Sequence, residues 1–163
     1  MGEESAAWHI VRTRGADPAV AAIGCERAGL EVFMPVSMVR VGTRGNRLQP
    51  GGIAWQPVFP GSLFVRFNLG RDTRRLCEIY GIDDLLRLDG KPVPVSDDAV
   101  AAIKRAERNA MFDAALNCRL AVAEDERPDS RFAAWVARVK RGRGSKRRTK
   151  LLMELLLLGN PSL

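Results

Sequence analysis

The stretch PVFPGSLFVRF, residues 57–67, is the tightest constraint in the chain. A Pro-Gly turn leads into an apolar run that alternates as a β-strand does, with successive side chains pointing to opposite faces. Leu63, Val65 and Phe67 share one face, the pattern of a strand packed on a core. Phe64 falls on the other face, and Phe59 stands just ahead of the turn. Aromatic side chains are seldom left on a solvated face, so the second face calls for a cover. That cover is either a helix of the same chain, which makes the rings core, or a partner.

The chain has 163 residues, enough for one domain or two small ones, and 46% of them are apolar, enough to build a core. The N-terminus MGEESAAWHI is acidic and shows no long apolar run after a basic start, so no signal peptide is expected. The longest apolar run, LLMELLLL, is too short to cross a bilayer and is interrupted by Glu154, so no membrane partner is expected. Cys25, Cys77 and Cys118 are scattered without metal-ligand spacing, which fits reduced thiols in the cytoplasm. His9 is the single histidine, which excludes multi-histidine metal sites and most histidine-based catalysis.

The net charge of +7 is a local property. The window RVKRGRGSKRRTK (138–150) holds Arg138, Lys140, Arg141, Arg143, Lys146, Arg147, Arg148 and Lys150 and no acid. With those eight set aside, 18 of the 26 basic residues remain against 19 acidic ones. The body of the chain is therefore close to neutral, and the basic window reads either as a solvated turn or as a contact for nucleic-acid phosphates. Few aromatics interleave with it, which argues against base stacking.

Local signals order the first hundred residues as β-α-β-β-β-α-β-α. WHIVRT (8–13) alternates as a strand. In ADPAVAAIGCERAG, Asp17 is the expected N-cap, Pro18 the first helical residue and Gly29 the stop. LEVFMPVSMVRV (30–41) is β-prone, with a break expected at Pro35. GTRGNRLQPGG (42–52) reads as a loop or hairpin tip, and IAWQPVF and SLFVRF as a strand pair around the Pro-Gly turn. GRDTRRLCEIYG (70–81) is a short helix opened by Asp72 and closed by Gly81, and DDLLRLDG is a short strand ending in an Asp-Gly turn. Ser96 caps a last helix with Asp97 and Asp98 in its first turn and Val100, Ile103 and Ala106 at helical spacing. Short, hairpin-linked strands of this kind give an α+β fold, a mostly antiparallel sheet flanked by helices.

Beyond residue 108 the pattern changes. CRLAVAEDERPDSRFAAWVARVKR carries an acidic turn between two segments with strand character, and KRRTKLLMELLLLGN suits either a helix or a buried strand. The boundary divides the chain into units 1–108 and 109–163. His9 is expected to be structural, and the pairs Asp83-Asp84 and Asp97-Asp98 read as turn and cap carboxylates. The glycine-rich loop lacks P-loop spacing and strand-loop-helix context, so no nucleotide or other cofactor is expected. Nothing in the pattern supports catalysis.

Taken in order, WHIV, the capped first helix, FMPV, VFPGSLFVRF and KPVPVSDDAVAAI resemble the NusG family of transcription elongation factors, including its RfaH-like specialised paralogues. The resemblance runs over roughly residues 8–106, with VFPGSLFVRF its most specific part. It implies a non-enzymatic, cytoplasmic elongation or antitermination factor that docks on RNA polymerase. An apolar sheet patch would pack on the clamp helices of the largest subunit, and a second contact would reach the gate loop. Phe59, Pro60, Phe64 and Leu85 fall at patch positions, and Ser62 stands where the family usually has Tyr. In Asp72-Thr73-Arg74, Thr73 alone matches the family's gate-loop residues. Arg12, Arg14, Arg74 and Arg75 are the expected contacts for phosphates of non-template DNA or nascent RNA. Lys146, Arg147 and Arg148 in the basic window are further candidates.

For residues 109–163 the resemblance implies a small β-barrel of KOW type, with Rho or a ribosomal protein as partner. The glycines that flank the KOW phenylalanine are absent around Phe132, where Ser130 and Ala133-Ala134 stand, so the barrel is degenerate. The alternative is a helical hairpin that covers the apolar patch, as in RfaH-like members. A reading from another class is a stand-alone RNA-binding module acting through residues 138–150.

Overall fold

Two alternating strands, β1 (Ala7–Thr13) and β5 (Ser62–Phe67), lie side by side at the centre of the sheet, antiparallel, with Ile10 opposite Phe64 and Val11 opposite Leu63. The structure is a computed structural model that describes residues 5–15, 18–41, 52–113, 130–142 and 145–158. The sheet runs β2 (Glu31–Phe33), β5, β1, β6 (Ile82–Leu85), and β9 (Pro94–Val95) also pairs with β1. A hairpin of β3 (Val36–Val41) and β4 (Gly52–Pro57) forms a separate ribbon, and β7 (Arg87–Leu88) pairs with β8 (Lys91–Pro92). Every pairing among the described strands is antiparallel, as the short hairpin links lead one to expect.

Helix α1 (Ala19–Arg27) begins after Pro18 and ends at Gly29, whose φ of +75° suits the left-handed residue beyond a helix end. The expected cap Asp17 lies outside the described residues. Helix α2 (Leu69–Cys77) opens at Asn68 rather than at Asp72. The Asn68 side chain accepts from the Arg71 N–H (2.9 Å), while Asp72 accepts from the Asn68 N–H (3.1 Å), a reciprocal cap that uses both residues. Helix α3 (Asp97–Arg108) is capped by Ser96, which accepts from the Ala99 N–H, and buries Val100, Ile103 and Ala106 as their spacing foretold.

The pairing of IAWQPVF with SLFVRF is corrected: β4 pairs with β3, and β5 pairs with β1 and β2. Pro35 ends β2 and lets β3 leave the sheet, and β4 follows it away. The Pro60-Gly61 turn forms as expected, with the Ser62 N–H donating to the Phe59 carbonyl (3.2 Å) and Gly61 at φ +76°. The strand expected at residues 130–141 is also corrected. That segment is helix α4 (Ser130–Arg141), and the Leu-rich segment is helix α5 (Ser145–Leu158). Phe132, Trp135, Val136 and Val139 recur every three or four residues, a helical period that outweighs local strand character. Of the two forms expected for the C-terminal region, residues 130–142 and 145–158 adopt the helical one. Residues 118–129, expected to hold the other strand and the acidic turn, lie outside the described residues, as does Cys118. Among the described residues, no helix is long and apolar enough to cross a membrane.

The two sheet faces hold separate cores. Leu63, Val65 and Phe67 pack with Val11, Leu76 and Ile82 and with Ala21, Ala22 and Cys25 of α1. His9 is buried on the same side, its ring 4.7 Å from that of Phe67 and its Nδ1–H donating to the Ala7 carbonyl (3.0 Å). Burial pushes the Cys25 thiol up to about 11, which leaves it protonated at neutral pH. Phe64 belongs to the second core, with Trp8, Ile10, Val58, Phe59 and Leu86.

Two carboxylates brace the root of the β3–β4 ribbon. Glu107 accepts from the Val36 N–H (2.7 Å) and Asp113 from the Met38 N–H (2.8 Å). Burial pushes the Glu107 carboxyl above the usual range, the Val36 bond pulls it back, and nearby Asp113 adds to the rise. A carboxyl raised on folding means that the folded chain binds more protons between the unfolded and folded pKa values. The Glu107 contribution therefore becomes more favourable as pH falls through the raised pKa. Glu107→Gln keeps the acceptor and removes the buried charge. Thermal unfolding of this variant is expected to match or exceed the wild-type midpoint at pH 7, with the gap closing toward pH 5. A midpoint that drops at pH 7 and stays low at both pH values would contradict this assignment.

Candidate functional site

The second face of the sheet is covered by the α4–α5 hairpin, which shares it with α3. Phe59 and Phe64 are 2% and 1% exposed, and their rings meet edge to face at 6.2 Å. Trp135 of α4 lies against Phe59 with centroids 5.9 Å apart. It also stacks on Phe132 at 5.4 Å and meets Phe112 edge-on at 6.5 Å. Val136 and Val139 of α4 and Leu151 and Leu152 of α5 complete the cover. The Trp135 indole N–H donates to the Leu151 carbonyl (2.8 Å), so its polar edge is satisfied inside the hairpin while its ring faces the sheet.

Polar contacts fix the hairpin in place. The Arg148 guanidinium donates through Nη1 to the carbonyls of Val58 (2.8 Å) and Pro57 (3.4 Å), and through Nε to that of Gly142 (3.0 Å). Its burial lowers the guanidinium pKa, although the group remains charged at any working pH. Arg138 of α4 grips Glu154 of α5 with both nitrogens, at 2.6 and 2.9 Å. That pair is half exposed and contributes at most about 1 kcal/mol. Gly142 ends α4 where space is short: a Cβ there would lie 3.3 Å from the Arg138 and Val139 carbonyls and 3.4 Å from a Leu151 methyl.

The residues singled out in the sequence separate into distinct places. Phe59, Ser62 and Phe64 come together on the covered face, Ser62 buried and opposite Arg12 in the strand register, with Pro60 half-buried beside them. Leu85 does not join them. It packs on the other face with Val11 and α1, and its neighbour Leu86 faces the hairpin instead. Thr73 sits half-buried on α2, its hydroxyl donating to the Leu69 carbonyl. Arg12 pairs with Asp83 (3.5 Å) and Arg74 with Glu78 (3.5 Å), both at the surface, and Arg14 and Arg75 are exposed. Lys146 and Arg147 are exposed on α5. Arg148 is committed to backbone carbonyls of the sheet domain, a role its place in a basic run conceals.

Trp135 is the contact on which the cover turns, and its truncation leaves a void between the hairpin and Phe59. A Trp→Ala change in a core costs about 3–5 kcal/mol. Trp135→Ala is expected to speed amide hydrogen exchange across residues 130–152 by at least about a hundredfold, the lower end of that range. Exchange in β1 and β5 should stay slow. Equal exchange in the two proteins would show that the hairpin is held by something else.

The sequence profile of one protein family, described as transcription termination factor NusG, matches residues 6–104. No curated protein matches the chain. A solved structure describing domain interaction in NusG of Thermotoga maritima is similar at 20% identity and a TM-score of 0.42. The likeness covers 66% of this chain and 60% of that one, so the chain spans less than two thirds of its length. The matched residues contain the whole sheet with α1 and α2 and most of α3, well over half of the chain, and on that ground the chain belongs to the NusG family.

Proposed function

We propose that this chain is a transcription elongation or antitermination factor that docks on RNA polymerase through the face now under α4 and α5. The supporting observation is an apolar face, built from Phe59, Phe64, Ile10 and Leu86, that a helical hairpin from outside the family-matched residues covers together with α3. Lifting the hairpin would expose an aromatic patch of the kind that receives a partner helix. Membership of a family of non-enzymatic transcription factors supplies the partner class.

In this reading residues 1–108 are the docking unit and residues 109–163 regulate it. Phe59, Pro60, Ser62 and Phe64, with Leu86 in place of Leu85, meet the clamp helices of the largest subunit. Thr73 lies toward the gate loop, and Arg12, Arg14, Arg74 and Arg75 take phosphates of exposed DNA or nascent RNA. The hairpin is autoinhibitory. If the cover favours the closed form by about 3 kcal/mol, about 1% of molecules are open and the apparent affinity for polymerase falls about a hundredfold.

Binding of the full chain to purified RNA polymerase tests the reading. Trp135→Ala is expected to tighten binding by about tenfold or more, and adding Phe59→Ala and Phe64→Ala should remove the gain and weaken binding below wild type. Equal affinity across the three proteins, all folded by circular dichroism, would refute docking at this face.

A further inference from the structure

The docking reading leaves the open cleft between α4 and α5 without a role, and four residues of the basic window line it. Arg138 and Arg141 lie three residues apart on α4, and Arg147 and Lys150 three apart on α5. All four line one open cleft of about 600 Å³, with Leu151 and Glu154. Among the described residues, four cations stand against one carboxylate, a net of +3, and Glu154 is itself held by Arg138. Arg141, Arg147 and Lys150 are exposed.

Charge convergence of this kind costs stability, because like charges face each other across the helix pair and no acid stands in the first turn of α5 to balance Lys146, Arg147 and Arg148. An extended chain would hold the same charges further apart. We infer that the α4–α5 hairpin carries a cleft for the phosphodiester backbone of nucleic acid, assembled only while this segment is helical. The lining has guanidinium and ammonium donors suited to phosphate oxygens and, among the described residues, no aromatic ring on which a base would stack, so recognition is of the backbone and independent of sequence. By linkage, a nucleic acid in this cleft stabilises the closed form. The inference does not depend on whether the chain docks on polymerase.

The test uses the full chain and labelled duplexes of DNA and of RNA, about 20 base pairs long, followed by fluorescence anisotropy from about 50 to 200 mM salt. The combined variant Arg141→Ala, Arg147→Ala and Lys150→Ala changes exposed side chains only, and far-UV circular dichroism checks that the helices remain. It is expected to lose at least about tenfold in affinity at the lowest salt and to reduce the log–log salt slope by about two to three, one cation per phosphate. Trp135→Ala, which releases the hairpin without touching a charge, should lose a comparable part of the slope. Binding of either duplex with these changes supports the cleft, and a preference between them names DNA or RNA as the source of the backbone. A combined variant within about twofold of wild type with an unchanged slope would overturn the proposal. So would displacement of both duplexes by an equal charge of polyglutamate, which would assign the cleft to acidic protein.

Discussion

The packing of Trp135 on Phe59 joins the C-terminal helices to the sheet, and much else follows from whether that contact is made. The two rings lie 5.9 Å apart between centroids, with Phe64, Phe112 and Phe132 around them. Helices of 12 and 14 residues are marginal by themselves in water, so α4 and α5 need an apolar surface to lie on. The sheet needs a cover for Phe59 and Phe64 in turn. Each side supplies what the other lacks, and a partner helix offering comparable apolar surface would compete for the same place.

Arg148 reaches across to the Val58 and Pro57 carbonyls, whereas the Arg138–Glu154 and Trp135–Leu151 contacts lie within the hairpin. The Glu107 and Asp113 braces, by contrast, tie α3 and the residues after it to the β3 edge within the sheet domain. Phe112 lies between the two systems, next in sequence to Asp113 and in contact with Trp135.

How much of this was legible in the sequence depended on where the decisive contacts lie along the chain. The alternation of Leu63 to Phe67 was enough to divide the two faces, because strand periodicity is local. The caps at Ser96 and Gly29 were readable for the same reason. The pairing of β4 was not, since a Pro-Gly turn looks alike whether its flanking strands pair with each other or part company at Pro35. Leu85 and Leu86 are adjacent and equally apolar, and only the strand's phase decides which one faces the hairpin. Arg148 was hidden by its neighbours: in a run of cations nothing local marks the one that will bind backbone carbonyls 90 residues away. The helical period of Phe132, Trp135, Val136 and Val139 was present in the sequence, but local strand character masked it, and hairpin and barrel both stayed open.

Amide hydrogen exchange of the full chain, free and in complex with RNA polymerase, bears most directly on the claim that α4 and α5 cover a docking face. If the hairpin occupies the partner's place, amides of residues 130–158 are protected in the free protein and lose that protection in the complex, while those of β1 and β5 stay slow in both. Protection of residues 130–158 that persists unchanged in a saturated complex would mean that polymerase binds elsewhere and that the covered face is simply the core of the fold.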